Sequence, residues 1–411
     1  MASRLRITHI ITDLTVGGTQ FALFRLLSRL DPSIIRSSVI ALSSRGPMAE
    51  SIEQLGISVS ACEFSRSLPS PLAMLQLCRL LRSTRPQVVQ TWMFHSDFLG
   101  GLAARVCFPS ASVVWNIRMS SLDAGIDSLR TRAVASACAR LSRWIPAGIV
   151  VNSDAGRDAI LARGYDASRT QRISNGFETE VFHPCDKART ELRAELRVPQ
   201  HSTLVGLVGR FHPHKDHLNF LKAAREIADA RPDVRFVLCG PDVDQNNIVL
   251  MDWIRSLQLT NNIHLLGVRT DMPRIQAALD LAVSSSVTEG FPNAIGEAMA
   301  CAVPCVVTDA GGSAELIGRT DTVVRPRDAH ALARCCLAVL EKPWHVRQRL
   351  GEEARSRIET HFSMQQIARQ YVNLWKSIAG VTDFRQTGSG QRRQTMDVVQ
   401  TRSSSSDRIA A

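Results

Sequence analysis

Short runs of β-branched and apolar residues alternate with longer amphipathic stretches along almost the whole chain. In the first half the short runs are Ile7–Asp13, Ser38–Leu42, Ser58–Phe64, Val88–Trp92, Val113–Ile117 and Gly148–Asn152. In the second half they are Leu204–Gly209, Val234–Cys239, Ile263–Gly267, Leu281–Ser285, Val303–Thr308 and Val323–Arg325. Runs this short and apolar predict strands buried on both faces. Between them, Phe21–Leu30, Leu72–Arg82, Leu218–Ala230 and Ala329–Leu340 carry apolar residues at helical spacing. Strands that alternate with helices build parallel sheets. Two such sets predict an α/β protein of two Rossmann-like, doubly wound domains facing a central cleft.

The turn residues Ser174, Asn175, Gly176 and Pro184 place the boundary near Arg172–Pro184. That gives an N-terminal domain over 1–175 and a C-terminal domain over 176–361. An amphipathic helix, Phe362–Ile378, opens a segment 362–382 expected to cross back to the first domain. Residues 383–411 turn polar and Ser-rich, the composition of a disordered tail.

Composition changes this picture little. Apolar residues make up 45% of 411 and charged residues 21%, which suits sizeable cores. Apolar runs such as Ala147–Val151 and Leu279–Val283 fall far short of the ~20 residues a bilayer span needs. Met1–Asp13 lacks the pattern of a signal peptide, so a cytoplasmic location is expected. The ten cysteines are scattered, and Cys107, Cys138, Cys239, Cys301 and Cys305 read as core thiols rather than metal ligands or disulfides.

Charge is more informative. Residues 1–175 hold 20 Arg, no Lys and 11 acidic residues, a balance of +9 against +11 for the whole chain. Anionic lipid, nucleic acid or a phosphate-bearing ligand would each suit such a half. An arginine-rich surface set by genome composition would look the same. Only two Tyr are present and no basic-aromatic ladder appears, which argues against nucleic acid.

Three loops carry candidate chemistry. Gly17-Gly18 follows the first strand and opens a helix, where backbone can approach a ligand and free N–H groups face an anion. It is not a dinucleotide fingerprint, and a packing turn would read alike. Arg210 and Lys215 leave the strand that ends at Gly209, placing two cations where α/β sheets bind ligands. They suit a diphosphate. His212, His214 and His217 lie between and beyond them without the partner ligands a metal would need. The third loop is the most specific: Glu289-Gly290-Phe291-Pro292-Asn293, then Glu297 one turn into the following helix, then Gly311-Gly312. Pro292 is expected as the first helical residue. Two carboxylates on one pocket can accept several hydrogen bonds from sugar hydroxyls.

Glu289 to Glu297, followed by Ala-Met-Ala-Cys-Ala-Val-Pro-Cys-Val-Val-Thr-Asp-Ala-Gly-Gly, resembles the E-x7-E signature of family 4 retaining glycosyltransferases. Gly17-Gly18-Thr19, Asn152-Ser153, Asn175-Gly176 and Gly209-Arg210 with Lys215 fall in the same order, so the resemblance spans roughly residues 5–378. Gln90–His95 and Trp115–Arg118 resemble members that build bacterial surface polysaccharides. One departure is Ala302 before Val303-Pro304, where the family often has Gly.

The resemblance implies a GT-B fold and transfer of a hexose-type sugar from a nucleotide-sugar donor to a glycan or lipid-linked acceptor, with no metal or other cofactor. Arg210 and Lys215 would bind the diphosphate, and Glu297 the ribose. Glu289, with Gly290, Phe291, Pro292 and Asn293, would hold the donor sugar. Gly17 and Gly18 would close over the phosphates, His95 would sit near the anomeric carbon or the sugar, and Arg118 would meet phosphate or acceptor. A sugar-nucleotide epimerase on the same scaffold is the alternative. A basic amphipathic stretch, Leu129–Ile145, fits peripheral docking on the anionic inner face of a membrane, or an ordinary helix packed on its sheet.

Overall fold

The computed structural model describes residues 4–64, 71–120 and 128–381. The Ser-rich tail assigned to 383–411 lies outside the described residues.

Seven parallel strands form the first sheet: β1 (Leu5–Ile11), β2 (Ile35–Ala41), β3 (Ser58–Ala61), β4 (Val88–Trp92), β5 (Ser112–Ile117), β6 (Gly148–Val151) and β7 (Thr170–Arg172). Their spatial order is β3-β2-β1-β4-β5-β6-β7. Six more form the second: β8 (Thr203–Val208), β9 (Val234–Cys239), β10 (Ile263–Leu265), β11 (Leu281–Ser284), β12 (Cys305–Thr308) and β13 (Val323–Val324). Their order is β10-β9-β8-β11-β12-β13.

The helices of the first lobe are α1 (Gly18–Ser28), α2 (Met48–Glu53), α3 (Pro71–Thr84), α4 (Phe94–Cys107), α5 (Leu129–Leu141) and α6 (Asp154–Ala162). Those that follow are α7 (Asp186–Glu195), α8 (His217–Ala230), α9 (Ile248–Ser256), α10 (Met272–Ala277), α11 (Asn293–Ala300), α12 (Ser313–Ile317) and α13 (Ala329–Leu340). The last helices among the described residues are α14 (Trp344–His361) and α15 (Met364–Ile378). Each strand order reverses beside its first strand, at β1/β4 and at β8/β11. The carboxyl ends of strands at such a switch point leave a crevice where ligands bind.

The second lobe's chain returns to the first. Phe177 donates its N–H to Phe362 O at 2.8 Å and Met364 donates to Phe177 O at 2.8 Å, which clamps the two crossings side by side. Beyond that point Met364, Ile367, Tyr371 and Trp375 are buried against Ile7, Ile11 and Trp92 of the first sheet. Trp375 donates its indole N–H to Gln90 Oε1 at 2.5 Å. A helix read from the end of the second half therefore completes the core of the first.

Several boundaries differ from the sequence reading, each for a local reason. β7 was not anticipated, because three polar residues carry no strand signal. Phe362 ends α14 and extended Ser363 separates it from α15, so the last helix begins at Met364. Pro304 has no N–H for the ladder, and β12 starts only at Cys305. Pro292, with ψ 100°, is the cap before α11 rather than its first residue.

One cysteine expectation is overturned. Cys107 is bonded to Cys78, with Cα atoms 5.6 Å apart, because α3 and α4 pack side by side. A separation of 29 residues hid that pairing in the sequence. Cys138, Cys239, Cys301 and Cys305 are buried free thiols; burial pushes Cys239 up to about 11 and Cys301 up to about 12.

Replacing Trp375 by Ala is expected to cost about 3–5 kcal/mol and to destabilise the first lobe, although the residue is distant from it in sequence. Urea unfolding followed by a probe in each lobe checks this; loss confined to the second lobe would contradict the shared core.

Candidate active site

The C-terminal lobe supplies two loops at the switch point of its sheet. The first leaves β8, passes exposed Arg210 and makes a short turn over Pro213–Lys215. Asp216, in a left-handed conformation at φ 46°, then caps α8 by accepting the Asn219 N–H at 3.3 Å. The second loop leaves β11. Ser285 Oγ donates to Lys215 O at 2.8 Å, and Val287 N donates to His214 O at 2.9 Å, so the two loops are stitched together.

Their side chains meet as well. Lys215 Nζ is ion-paired with Glu289 Oε1. Ser286 Oγ donates to the same oxygen at 2.7 Å. The carboxylate is thus fixed in orientation before any ligand arrives, and part of its acceptor capacity is left over. Arg210 makes no hydrogen bond or ion pair with the described residues, and the structure does not bring it onto Lys215 or Glu289.

The loop after Glu289 lies against the first lobe. A methyl group on Gly290 would sit 2.5 Å from Arg118 O, and one on Gly311, at φ 55°, only 1.7 Å from Glu289 O. Only glycine fits at either point. Phe291 is buried against Phe177 and Phe362, with centroids 6.4 and 5.4 Å away. Its side chain is core; only its backbone is available to a ligand.

Asn175 is the hub between the lobes. Its amide donates to Asn293 Oδ1 at 2.6 Å and to Phe291 O at 3.3 Å. Its oxygen accepts from Arg118 at 2.5 Å and from Asn152 at 3.3 Å. Arg118 also lies over the Trp92 ring at 5.5 Å and reaches the Tyr371 hydroxyl at 3.4 Å. On the facing side, Gly18 lies against Asn293, whose amide would be 3.5 Å from a methyl there.

Glu297 points across the same boundary. It is buried and ion-paired with Arg25 of α1. Arg25 also approaches Glu178 at 3.7 Å and lies over the rings of Phe21 and Phe182 at 5.9 and 5.7 Å. One turn on, Arg29 reaches Glu178 at 3.5 Å and Glu180 at 3.0 Å.

His95 is half-buried at the second position of α4, just past Met93, whose φ of 73° is unusual for a side chain of that size. Burial, and then the positive charge of Arg130, hold His95 below the ordinary histidine range, so it is neutral at neutral pH. Behind it, Asp97 is fully buried and accepts from Thr91 Oγ1 at 2.5 Å. Burial raises its carboxyl well above the ordinary range.

The sequence-predicted residues therefore fall into three groups. Lys215 with Glu289, and Asn293 with Gly18, are brought together. Glu297, Gly290 and Arg118 lie on the boundary and are engaged with its partners. Among the described residues, no hydrogen bond or ion pair joins Arg210 or His95 to either pair. Arg25, Ser286 and Tyr371 were missed. Arg25 had a signal, a cation set with Arg29 inside the largely apolar stretch Phe21–Leu30.

Comparison with known proteins gives the family and the fold. Residues 16–181 match the model described as Glycosyltransferase Family 4, and residues 202–342 the model described as Glycosyl transferases group 1. The chain belongs to the family 4 glycosyltransferases. This is a family of retaining hexosyltransferases that generally act without a metal, and the two facing sheets are its GT-B fold.

The UDP-Gal:alpha-D-GlcNAc-diphosphoundecaprenol alpha-1,3-galactosyltransferase of Escherichia coli is 25% identical, covering 76% of this chain and 81% of that protein. The putative glycosyltransferase EpsF of Bacillus subtilis is 24% identical, over 75% and 80%. Among solved structures, Anabaena Alr3699/HepE in complex with UDP-glucose superposes with a TM-score of 0.77 at 22% identity, covering 91% of this chain and all of that one. Sucrose-phosphate synthase from Thermosynechococcus elongatus gives 0.77 at 17%, covering 92% of this chain and all of that one. The glycosyltransferase has an ordinary version of this fold.

Two outcomes are expected. Arg25→Met leaves a buried carboxylate without its cation and should cost about 3 kcal/mol or more, most of it recovered in the double variant with Glu297→Gln; additive losses in a urea double-mutant cycle would contradict the pair. Asp97→Asn should gain stability over the parent as pH rises from 4 to 8. The folded carboxyl titrates above its unfolded value, so the parent alone loses stability over that range. A difference independent of pH would show that Asp97 is ionised in the fold.

Proposed function

We propose that this glycosyltransferase moves a hexose from a nucleoside-diphosphate sugar onto a lipid-linked glycan in the building of a surface polysaccharide. The observation that carries the reading is the Lys215–Glu289 pair at the carboxyl end of the second sheet, in the loop that leads to Asn293, against which Gly18 of the first lobe lies.

In this reading Lys215 exchanges Glu289 for the donor diphosphate, and Arg210, exposed and unpaired, swings in beside it. Glu289 then accepts hydroxyls of the donor sugar, with the backbone of Gly290, Phe291, Pro292 and Asn293 around it. Glu297 takes the ribose hydroxyls, and Gly17-Gly18 covers the phosphates from the first lobe. His95, neutral, faces the anomeric carbon. Arg118 is already held by Asn175, Tyr371 and Trp92, which suits fixing the lobe boundary better than gripping a free phosphate.

The bond between the anomeric carbon and the phosphate oxygen breaks, and its electron pair leaves with the nucleoside diphosphate. The acceptor oxygen forms the new bond on the same face, and its proton passes to the departing phosphate. Negative charge grows on that phosphate, so fixed cations aimed at it lower the barrier.

The acceptor side rests on the outer face of the first lobe. There Leu72, Val106, Leu129 and Trp144 are exposed beside exposed Arg79, Arg82, Arg105, Arg130, Arg140 and Arg143. Helices α3, α4 and α5 contain one carboxylate, the buried Asp97. Apolar tips among exposed cations suit an anionic bilayer, and a lipid-linked acceptor is presented there. Among the described residues no helix is long and apolar enough to cross a membrane. The name of the Escherichia coli relative includes a diphosphoundecaprenol, which supports an acceptor of this class.

A thermal-shift screen of UDP-, GDP- and ADP-sugars tests the donor: the right one, at 100 times its dissociation constant, should stabilise by about 2.7 kcal/mol. Incubation with that donor alone separates an epimerase, which would convert it, from a transferase, which needs an acceptor. Lys215→Ala should lower turnover on the order of a hundredfold; near-normal turnover would remove Lys215 from the reaction. Flotation on acidic liposomes at low salt should recover the chain, and failure to float would remove the membrane face.

A further inference from the structure

The first sheet has a polar floor at the end opposite the cleft. Side chains alternate across a strand, so Arg6, Thr8 and Ile10 of β1 share one face, as do Arg36, Ser38 and Ile40 of β2, and Ser58 and Ser60 of β3. Register aligns them in rows: Arg6 pairs with Arg36, and Thr8 with Ser38, which pairs with Ser58. At the carboxyl half of this face Ile10 and Ile40 are buried under α3 and α4. At the amino half α3 ends at Thr84, and the described residues leave the face open as a groove.

Parallel sheets are ordinarily covered on both faces. Here an uncovered stretch is lined by hydroxyls and by three arginines, Arg6, Arg36 and Arg85, and no lining residue carries a carboxylate. The hydroxyls are organised: Thr8 Oγ1 bonds Ser38 Oγ at 3.0 Å and Thr84 Oγ1 at 3.0 Å. Arg6 Nε donates to Arg85 O at 2.6 Å, and Arg85 holds a left-handed φ of 46°, a cost that local structure must support. The guanidinium groups of Arg36 and Arg85 are exposed and have no ion pair with the described residues. Three uncompensated cations within one groove repel each other, and an anion relieves that repulsion.

We infer that this groove is a second carbohydrate site, binding an acidic oligosaccharide through Arg36 and Arg85 on its charged groups and through the Ser38, Ser58 and Ser60 hydroxyls on its sugar hydroxyls. Bidentate guanidinium contacts read planar oxyanions, and a hydroxyl-lined floor both donates and accepts toward a polyol. The groove lies at the amino ends of the strands whose carboxyl ends face the cleft. It can therefore hold an extended acidic glycan without touching the reacting atoms.

The test is calorimetric titration of the full chain with a uronate hexasaccharide, a neutral glucan hexasaccharide, inorganic phosphate and anionic lipid vesicles. The acidic hexasaccharide is expected to bind saturably, at least tenfold more tightly than the neutral one or phosphate, and more weakly as salt rises. Arg36→Ala and Arg85→Gln should each weaken it about tenfold, and Arg36→Lys should restore part of the loss. Both residues are exposed, so melting temperature and nucleotide binding should stay as in the parent. Absence of saturable binding would overturn the proposal. So would affinity unchanged in Arg36→Ala, or phosphate binding as tightly as the oligosaccharide. Binding of vesicles alone would make the groove part of the membrane face and not a glycan site. Because the donor cleft is read separately by nucleotide titration, failure here leaves the transferase reading standing, and the reverse also holds.

Discussion

Everything in this molecule that concerns chemistry depends on two parallel sheets presenting their carboxyl ends to each other and being held there by buried polar contacts. Coulomb attraction alone would not hold them, because desolvation offsets most of the gain from a buried ion pair. The Arg25–Glu297 pair is therefore better understood as a constraint on geometry than as a source of stability. An unpaired carboxylate at that depth is costly, so the two lobes fit together only where Arg25 can reach it. Asn175 works in the same way. Its four hydrogen bonds run to Arg118, Asn152, Asn293 and Phe291 O, and they can all be made only with the lobes in one register.

The donor loops show the complementary strategy. Lys215 and Glu289 neutralise each other in the resting site, and their charges are available only by exchange. A diphosphate is a better partner for the ammonium than one carboxylate. In the proposed function, release of Glu289 toward sugar hydroxyls is then coupled to arrival of the phosphates. That links binding of the two ends of one ligand through a single ion pair. The helix that follows is preset by Pro292, its cap, which lines the same pocket as Lys215 and Glu289.

Much of this was legible in the sequence. The alternation of apolar runs and amphipathic stretches located twelve of the strands, because a strand buried on both faces has few other ways to be written. Glu289, Glu297 and Lys215 were legible because glycine and proline punctuate their loops. β7 was not, since Thr170–Arg172 has no apolar pattern and forms a strand only by pairing with β6. Arg25 and Tyr371 were not assigned to the site because their partners lie 272 and 253 residues away. The Cys78–Cys107 bond was missed for the same reason. Local chemistry writes loops and caps into the chain, whereas pairing across lobes is decided by packing that no short window contains.

The central claim is that a nucleoside diphosphate sugar lies between the Lys215 loop, the start of α11 and the Gly17-Gly18 turn. Hydrogen–deuterium exchange of the full chain, with and without the stabilising donor, measures this directly. Protection is expected in three separate stretches, 17–20, 209–216 and 288–297. Protection confined to one lobe, or found only outside these stretches, would contradict it.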